Sequence, residues 1–478
     1  MSTTATPRRA LPGYAGLAAG EFAAKLIGFA AFAWLARALE PRAYGTLELA
    51  VSVGMVTLLV IDFGLGPVAS RILTRDPDRA DSLTGTVPAI RTALAGLGLL
   101  CALTLGAAVT PSATGHQLIV LYVMALLFTP WTLDWLFQGL GRTGWVAPAQ
   151  LLRMTVFFLG VTLFVEGPEH ILRVGGAEIA ALGALAGYYV FAARSVGQRP
   201  RIRPDRATAR SLLREAAPVG GGQWVWILTQ YLPIFALSAW SGADAVGYFG
   251  AAHRVVFGLG SFIFLYFFAL YPSLVIATHD QPGDFEPVLS VSISGTAWVG
   301  GFTAVVGTLL AHPVSRLAFG PEFGPTAALL ALLVWSLPLQ LISGHARFTL
   351  IAAGHPGAHL WTQAAGFAAG LVACAVLVPR FEGTGAAAAL LLSTLVVWLS
   401  AEQAVRRQVA AMPGLAALWR PGLATACSLG LALAIPRHHM GLRLFAAVGV
   451  FAILAWWLDR PRLAAWIAQL RGQPQATA

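Results

Sequence analysis

Lys25 sits inside an apolar run, and Glu21 precedes it by one helical turn, the order that favours an ion pair. About twelve residues separate it from either end of the run, roughly 18 Å at helical rise, too far for a lysine stem to reach water. Such a charge needs a partner or a hydrated cavity. Two readings follow: a self-neutralised Glu21–Lys25 pair that joins helices, or a cationic group facing an aqueous path. Glu48 and Arg254 pose the same choice, because aligned hinges place them at nearly equal depth in opposite halves of the chain. They form either a salt bridge or separate cavity groups, with Arg254 as a phosphate contact. A guanidinium grips phosphate oxygens in pairs and an ammonium acts as a point charge, so Lys25 and Arg254 suit a diphosphate head group. Glu21 or Glu48 could instead exchange a proton and couple movement to it. Arg153, about two turns inside its run, lines the same cavity or pairs with Asp134. Asp62 and Asp134 stand near cytoplasmic helix ends, where Arg71, Arg75 or Arg142 could pair with them and latch an inner gate.

Other reactive types offer less. Arg347 and Glu178 are close enough to an interface to snorkel. His355 and His359 are four apart but occupy a Gly-Pro hinge with no third ligand nearby, which argues against a metal site. Cys101, Cys374 and Cys427 fall inside apolar runs at unrelated spacing and read as packing residues. Trp224 and Trp226 could stack on sugar rings. No Walker A loop is present, and no cofactor is expected.

The elements that must position these residues follow from composition. With 57% hydrophobic and only 11% charged residues, the chain cannot cover a water-facing globule with polar groups. Windows of bilayer-spanning length give about fourteen spans, near 13–36, 44–65, 86–109, 117–139, 145–165, 175–193, 217–240, 246–270, 288–311, 326–350, 360–378, 384–401, 421–435 and 441–458. They are too long and unalternating for barrel strands, so the expected class is an all-α polytopic membrane protein.

A net charge of +10 invites a nucleic-acid reading, but its distribution tracks topology instead. One side collects Arg8, Arg9, Arg71, Arg75, Arg79, Arg91, Arg142, the cluster from 194 to 214, Arg406, Arg407, Arg420, Arg460, Arg462 and Arg471. The other holds Arg37, Arg42, Arg173, Arg316, Arg380, Arg437 and Arg443. The positive-inside rule then puts both termini in the cytoplasm, with the 194–214 cluster touching anionic lipid.

The chain also repeats. The stretch 35–45 aligns with 237–247, each closing one span and opening the next, and 139–144 aligns with 352–357 at the hinge between the fourth and fifth spans of each half. An even number of spans per copy makes the repeats parallel, a pattern associated with a substrate path at the repeat interface and rocking of one half against the other. The expected organisation is a six-helix lobe at 1–193, a basic linker at 194–215, a second six-helix lobe at 216–402, and two extra helices with a tail at 403–478.

The run Ala36-Arg37-Ala38-Leu39-Glu40-Pro41-Arg42-Ala43-Tyr44-Gly45, followed by Asp62-Phe63-Gly64-Leu65, resembles the opening of bacterial polysaccharide-biosynthesis flippases of the multidrug, oligosaccharidyl-lipid and polysaccharide (MOP) exporter superfamily. Ala217-Pro218, Val246-Gly247-Tyr248 and Gly383-Thr384-Gly385-Ala386-Ala387 extend the likeness over most of the chain. Glu40 departs from it, since the family usually has glycine before the proline. The resemblance implies a fourteen-helix carrier, not an enzyme, in the bacterial inner membrane. It implies undecaprenyl-diphosphate-linked oligosaccharide as cargo and helices one, two, seven and eight around a central cavity. Membrane lipids and polysaccharide assembly proteins are the implied partners; nucleic acid is not. The rival readings are a multidrug cation antiporter of the same superfamily, which would prefer unpaired carboxylates, and a glycan polymerase or transferase, which would need a large outer loop or a catalytic cluster.

Overall fold

Hydrocarbon offers backbone groups no partners, so an apolar chain of this length must close its hydrogen bonds within helices. The computed structural model describes residues 11–110, 112–279, 283, 285–412, 417–436 and 438–470, and these contain no strand. Arg8, Arg9, Arg437 and Arg471 of the charge pattern lie outside the described residues.

The helices are α1 (Leu11–Asp62), α2 (Leu65–Arg75), α3 (Ala80–Val109), α4 (Ala113–Ala125), α5 (Asp134–Gly139), α6 (Val146–Phe164), α7 (Ile171–Ser195) and α8 (Arg206–Trp240), then α9 (Ala243–His279), α10 (Phe285–Phe319), α11 (Thr326–Leu333), α12 (Ser336–Ala352), α13 (Pro356–Gln408), α14 (Trp419–Ala434) and α15 (Met440–Leu470). Among the described residues, ten helical segments are long and apolar enough to cross a membrane. Two of them each hold two crossings, because α1 breaks at Glu40 and α13 breaks at Glu382. With α8 and the short α14, the chain makes about fourteen crossings of bilayer length.

Two spans are less regular than the apolar runs imply. The fourth tightens into a 3₁₀ turn at Leu126–Trp131 before α5, and the tenth is broken between α11 and α12. Pro130 and Pro338 each lie four residues beyond the point of departure, where a proline ring crowds the carbonyl and brings no N–H to complete the helical bond; the Val334 carbonyl accepts instead from the Leu337 amide at 3.1 Å. The basic linker is also shorter than expected: Arg206, Arg210 and Arg214 lie on α8. Asp205 caps that helix by accepting from the Thr208 amide at 3.0 Å and the Thr208 hydroxyl at 2.5 Å.

The internal repeat has a backbone counterpart. Glu40 has φ 61 and its aligned residue Gly242 has φ 86, while Gly141 has φ 68 and its aligned residue Gly354 has φ 79. Left-handed residues therefore recur where the sequence aligns the hinges.

By contacts the chain divides into two compact units, Met1–Gly247 and Tyr248–Ala478. The first includes α8 because that helix packs against α1, α2 and α3. Glycines permit two backbone approaches within this unit. A Cβ on Gly45 would fall 1.8 Å from the Ala243 carbonyl oxygen, and one on Gly247 would fall 2.1 Å from that of Pro41. At the other end, the Asp62-Phe63-Gly64 break lies against α8, and a Cβ on Gly64 would fall 2.8 Å from the Gly220 nitrogen. Gly64 also has φ 74, so both conformation and space require glycine there.

In the second unit, Asp459 ties the last two helices to α10. Its Oδ2 accepts from Ser294 Oγ at 2.8 Å and Trp298 Nε1 at 3.0 Å, and its Oδ1 accepts from Arg420 at 2.8 Å. The carboxylate is 1% exposed, so these three donors replace its hydration.

Candidate functional site

Small residues decide where Lys25 can point. Gly20 and Gly28 press α1 onto α6, with a built Cβ 2.5 Å from Ala147 Cβ and 3.2 Å from Met154 Sδ respectively. Glu21 and Lys25 lie roughly 60° and 100° around the helix from the middle of that seam, at its edge and beyond it. Their charged atoms are 4.0 Å apart, and the side chains remain 45% and 47% exposed. The pair is therefore formed, loose and open, at mid-span depth.

Arg153, from α6, meets Glu178 of α7 at 2.7 Å, with side chains 22% and 12% exposed. The partner is thus Glu178, not Asp134, and Glu178 reaches inward to a guanidinium instead of snorkelling to an interface. Two charges on neighbouring helices neutralise each other, which the sequence could have signalled only through the α6–α7 hairpin.

Asp62 is held by Arg91 at 2.5 Å, not by Arg71, Arg75 or Arg142. Arg91 also donates to the Thr132 carbonyl at 2.8 Å. The positive-inside reading counted Arg91 as a cytoplasmic arginine, but α3 starts at Ala80, which carries Arg91 about three turns into the helix and leaves it 3% exposed. Asp134 opens α5 within electrostatic range of both Arg91 and Asp62. Two carboxylates thus cluster around one guanidinium. Arg71 instead reaches Glu215 of α8 at 2.7 Å, an exposed pair that the sequence did not single out.

Glu48 is buried on α1 at 2% exposure, and its backbone carbonyl accepts from Ser52 Oγ at 2.6 Å. Arg254 is half-buried on α9 of the second unit. Trp224 is exposed on α8, and Trp226 is half-buried. Two hollows form within the units. One is lined by Arg142, Gly144, Trp145, Pro148 and Tyr188, the other by residues including His312, Arg316 and Phe323. Neither includes Lys25, Glu21 or Arg153. Among the described residues, no group of three His, Cys, Asp or Glu side chains could hold a metal.

Residues 11–278 match the family model described as polysaccharide biosynthesis protein. No curated protein matches the sequence. A solved structure of the lipid II flippase MurJ in an inward closed conformation is similar at TM-score 0.76 and 10% identity, covering 93% of this chain and 99% of that one. An inward-facing MATE family multidrug resistance transporter of the MOP superfamily gives TM-score 0.62 at 12% identity, over 80% of this chain and 94% of that one. The MATE multidrug transporter DinF-BH gives TM-score 0.59 at 14% identity, over 88% of this chain and 98% of that one. At these identities the likeness establishes the fold.

Proposed function

The chain belongs to the polysaccharide biosynthesis protein family, and from that membership we propose that it is a flippase for undecaprenyl-diphosphate-linked oligosaccharide. In this reading the multi-pass protein lies in the bacterial inner membrane with both termini cytoplasmic. It moves sugar units from the inner to the outer leaflet by alternating access, as a secondary transporter that hands its cargo to polysaccharide assembly proteins.

The observation that carries the reading is the open Glu21–Lys25 pair. An ammonium and a carboxylate separated by 4.0 Å and each about half exposed cannot face acyl chains at mid-span without a large desolvation cost. That exposure supports a face bordering water or a polar cargo. Lys25 and Arg254 are the proposed cationic contacts to the diphosphate, replacing hydration lost when the head group leaves the cytoplasm. Arg153 adds positive potential while held by Glu178. Glu21 and Glu48 limit the net charge of the path, and Asp62 with Asp134 latches its inner end through Arg91. The lipid tail stays in the bilayer throughout.

The test is replacement of Lys25 and, separately, Arg254 by alanine, with membrane abundance and glycan export measured together. Export should fall at least tenfold at unchanged abundance, the effect of removing about 1.4 kcal/mol or more of cargo interaction, and lipid-linked intermediate should accumulate in the inner leaflet. Normal export from a normally abundant variant would return the charges to a packing role.

A further inference from the structure

The buried carboxylate of Asp459 also brings two arginines to one end of the second unit. Arg420, on the first turn of α14, donates to Asp459 Oδ1 at 2.8 Å, and Arg460 follows Asp459 directly in the chain. Oδ2 is taken by Ser294 and Trp298 of α10, so the carboxylate is spent within the unit. Among the described residues it is the only acid that pairs with either arginine. Two cations against one anion leave this end with one positive charge in excess.

Both guanidinium groups are stacked on indoles. Arg460 lies over the Trp456 ring at 4.1 Å from its centroid, and Arg420 over the Trp419 ring at 5.3 Å. Stacking occupies a face of the planar group and leaves the N–H donors around its rim available. Arg460 is exposed, and among the described residues its side chain makes no ion pair or hydrogen bond. Its donors therefore have room for an acceptor from outside the chain.

The depth of the cluster indicates which acceptor. Trp419, Trp456 and Trp457 are 54%, 62% and 78% exposed. They stand where α14 begins and where the apolar crossing of α15 ends, at Pro461. Farther along the same helices Leu423 and Ile453 are exposed, as suits contact with acyl chains. Tryptophans at the end of an apolar span sit at headgroup level, which sets the two arginines beside lipid phosphates. Past its break at Asp459, α15 continues to Leu470 with Ile467 exposed, the pattern of a helix lying along a membrane surface.

We infer that Arg420 and Arg460 form a site for the headgroup of an anionic phospholipid, within the second unit and independent of the proposed cargo path. The rim of Arg460 grips two phosphate oxygens, and the donors of Arg420 not used by Asp459 face a third. Trp419 and Trp456 pack on the glycerol and the first methylenes. The excess positive charge favours a lipid of net negative charge over a zwitterionic one, whose own cation would meet the second guanidinium.

Hydrogen exchange of the full-length protein tests the site, with one copy per nanodisc, in phosphatidylcholine alone or with part of it replaced by phosphatidylglycerol. Amides 460–470 should exchange more slowly in the mixed discs. Arg460→Gln should raise the phosphatidylglycerol level needed for half of that effect by about fivefold, what one arginine contributes at an anionic surface. Arg460→Lys should fall between, since it keeps the charge and loses the rim of donors. Arg407→Gln, at an exposed arginine of α13, should respond as wild type. Should Arg460→Gln fail to fold, Trp456→Leu, which removes the ring beneath the guanidinium, gives the same comparison. The inference is overturned if the wild type exchanges equally in both lipids, or if the folded Arg460→Gln or its substitute Trp456→Leu responds as wild type. It is also overturned if Arg407→Gln loses as much as Arg460→Gln, which would make the effect one of diffuse surface charge. Equal slowing by sodium pyrophosphate in phosphatidylcholine discs would assign the surface to a free phosphate compound, and slowing only with two copies per disc would assign it to a second copy; either result overturns the lipid site. Loss of export in the Lys25 and Arg254 variants bears only on the cargo path.

Discussion

Glu40 occupies φ 61, ψ 167, a backbone region that residues other than glycine enter at a cost of about 1–3 kcal/mol. The residue cannot relax toward helix, because Pro41 disfavours that conformation in its predecessor. Gly242 fills the aligned place in the second hinge at φ 86 without such strain. The resemblance to polysaccharide flippases puts glycine before this proline, and the structure gives the reason. Glu40→Gly should therefore raise stability by about 1–2 kcal/mol, the relieved strain less the extra chain entropy of an unfolded glycine. Glu40→Ala should not, since alanine keeps the offending Cβ. The thermal midpoint of the purified protein distinguishes them, and equal midpoints for Glu40→Gly and Glu40→Ala would remove strain as the explanation. Single residues were otherwise the least legible part of the sequence. Lys25 and Glu21 could be paired from spacing alone because both lie on one helix. Asp62–Arg91 and Arg153–Glu178 could not, because each joins two helices whose rotation is set by packing.

At the scale of elements, apolar runs located nearly every span, whereas the breaks inside spans depended on prolines. The departures of the fourth and tenth spans follow from Pro130 and Pro338, a local steric signal that a hydropathy window averages away. The 194–215 linker shows the converse. Its charge marked it as a connection, yet Asp205 lets α8 begin inside it, and the preceding segment crosses the start of α3 with Arg203 donating to the Gly85 carbonyl at 3.2 Å. A Cβ on Gly85 would lie 2.9 Å from the Arg203 carbonyl oxygen, so a small residue keeps the crossing close. The Thr208 hydroxyl and then its amide hold the Asp205 carboxyl below its ordinary pKa. A depressed carboxyl stabilises the folded state fully above the unfolded value, near 3.9, and that contribution is lost as pH falls through the folded value. Asp205→Ala should thus lower the melting temperature near neutral pH and fray the first turn of α8, the wild-type advantage narrowing as pH falls below about 4. Amide exchange at Thr208 reports the fraying directly. An unchanged exchange rate in the variant would show that packing, not the cap, starts the helix.

For the whole molecule, the fold was legible because membrane crossing, hinge repetition and family motifs agree, while the cargo path depends on how charged faces meet water, which no linear pattern encodes. The proposed function makes the energetic source measurable. A sugar diphosphate carried outward moves negative charge along an inside-negative potential, and each uncompensated charge is worth about 2.3 kcal/mol per 100 mV, about fifty-fold in its distribution across the membrane. Lys25 and Arg254 are fixed to the protein and do not cancel charge that leaves with the cargo. Purified protein in proteoliposomes with undecaprenyl-diphosphate-linked oligosaccharide, under potentials set by potassium and valinomycin, should therefore redistribute cargo toward the positive side. A pH gradient alone should have little effect. If the gradient redistributes cargo while an imposed potential does not, proton exchange through Glu21 or Glu48 compensates the phosphates, and Glu21→Gln or Glu48→Gln should uncouple movement from pH. Indifference to both would leave translocation passive, with direction set only by removal of cargo on the outer side.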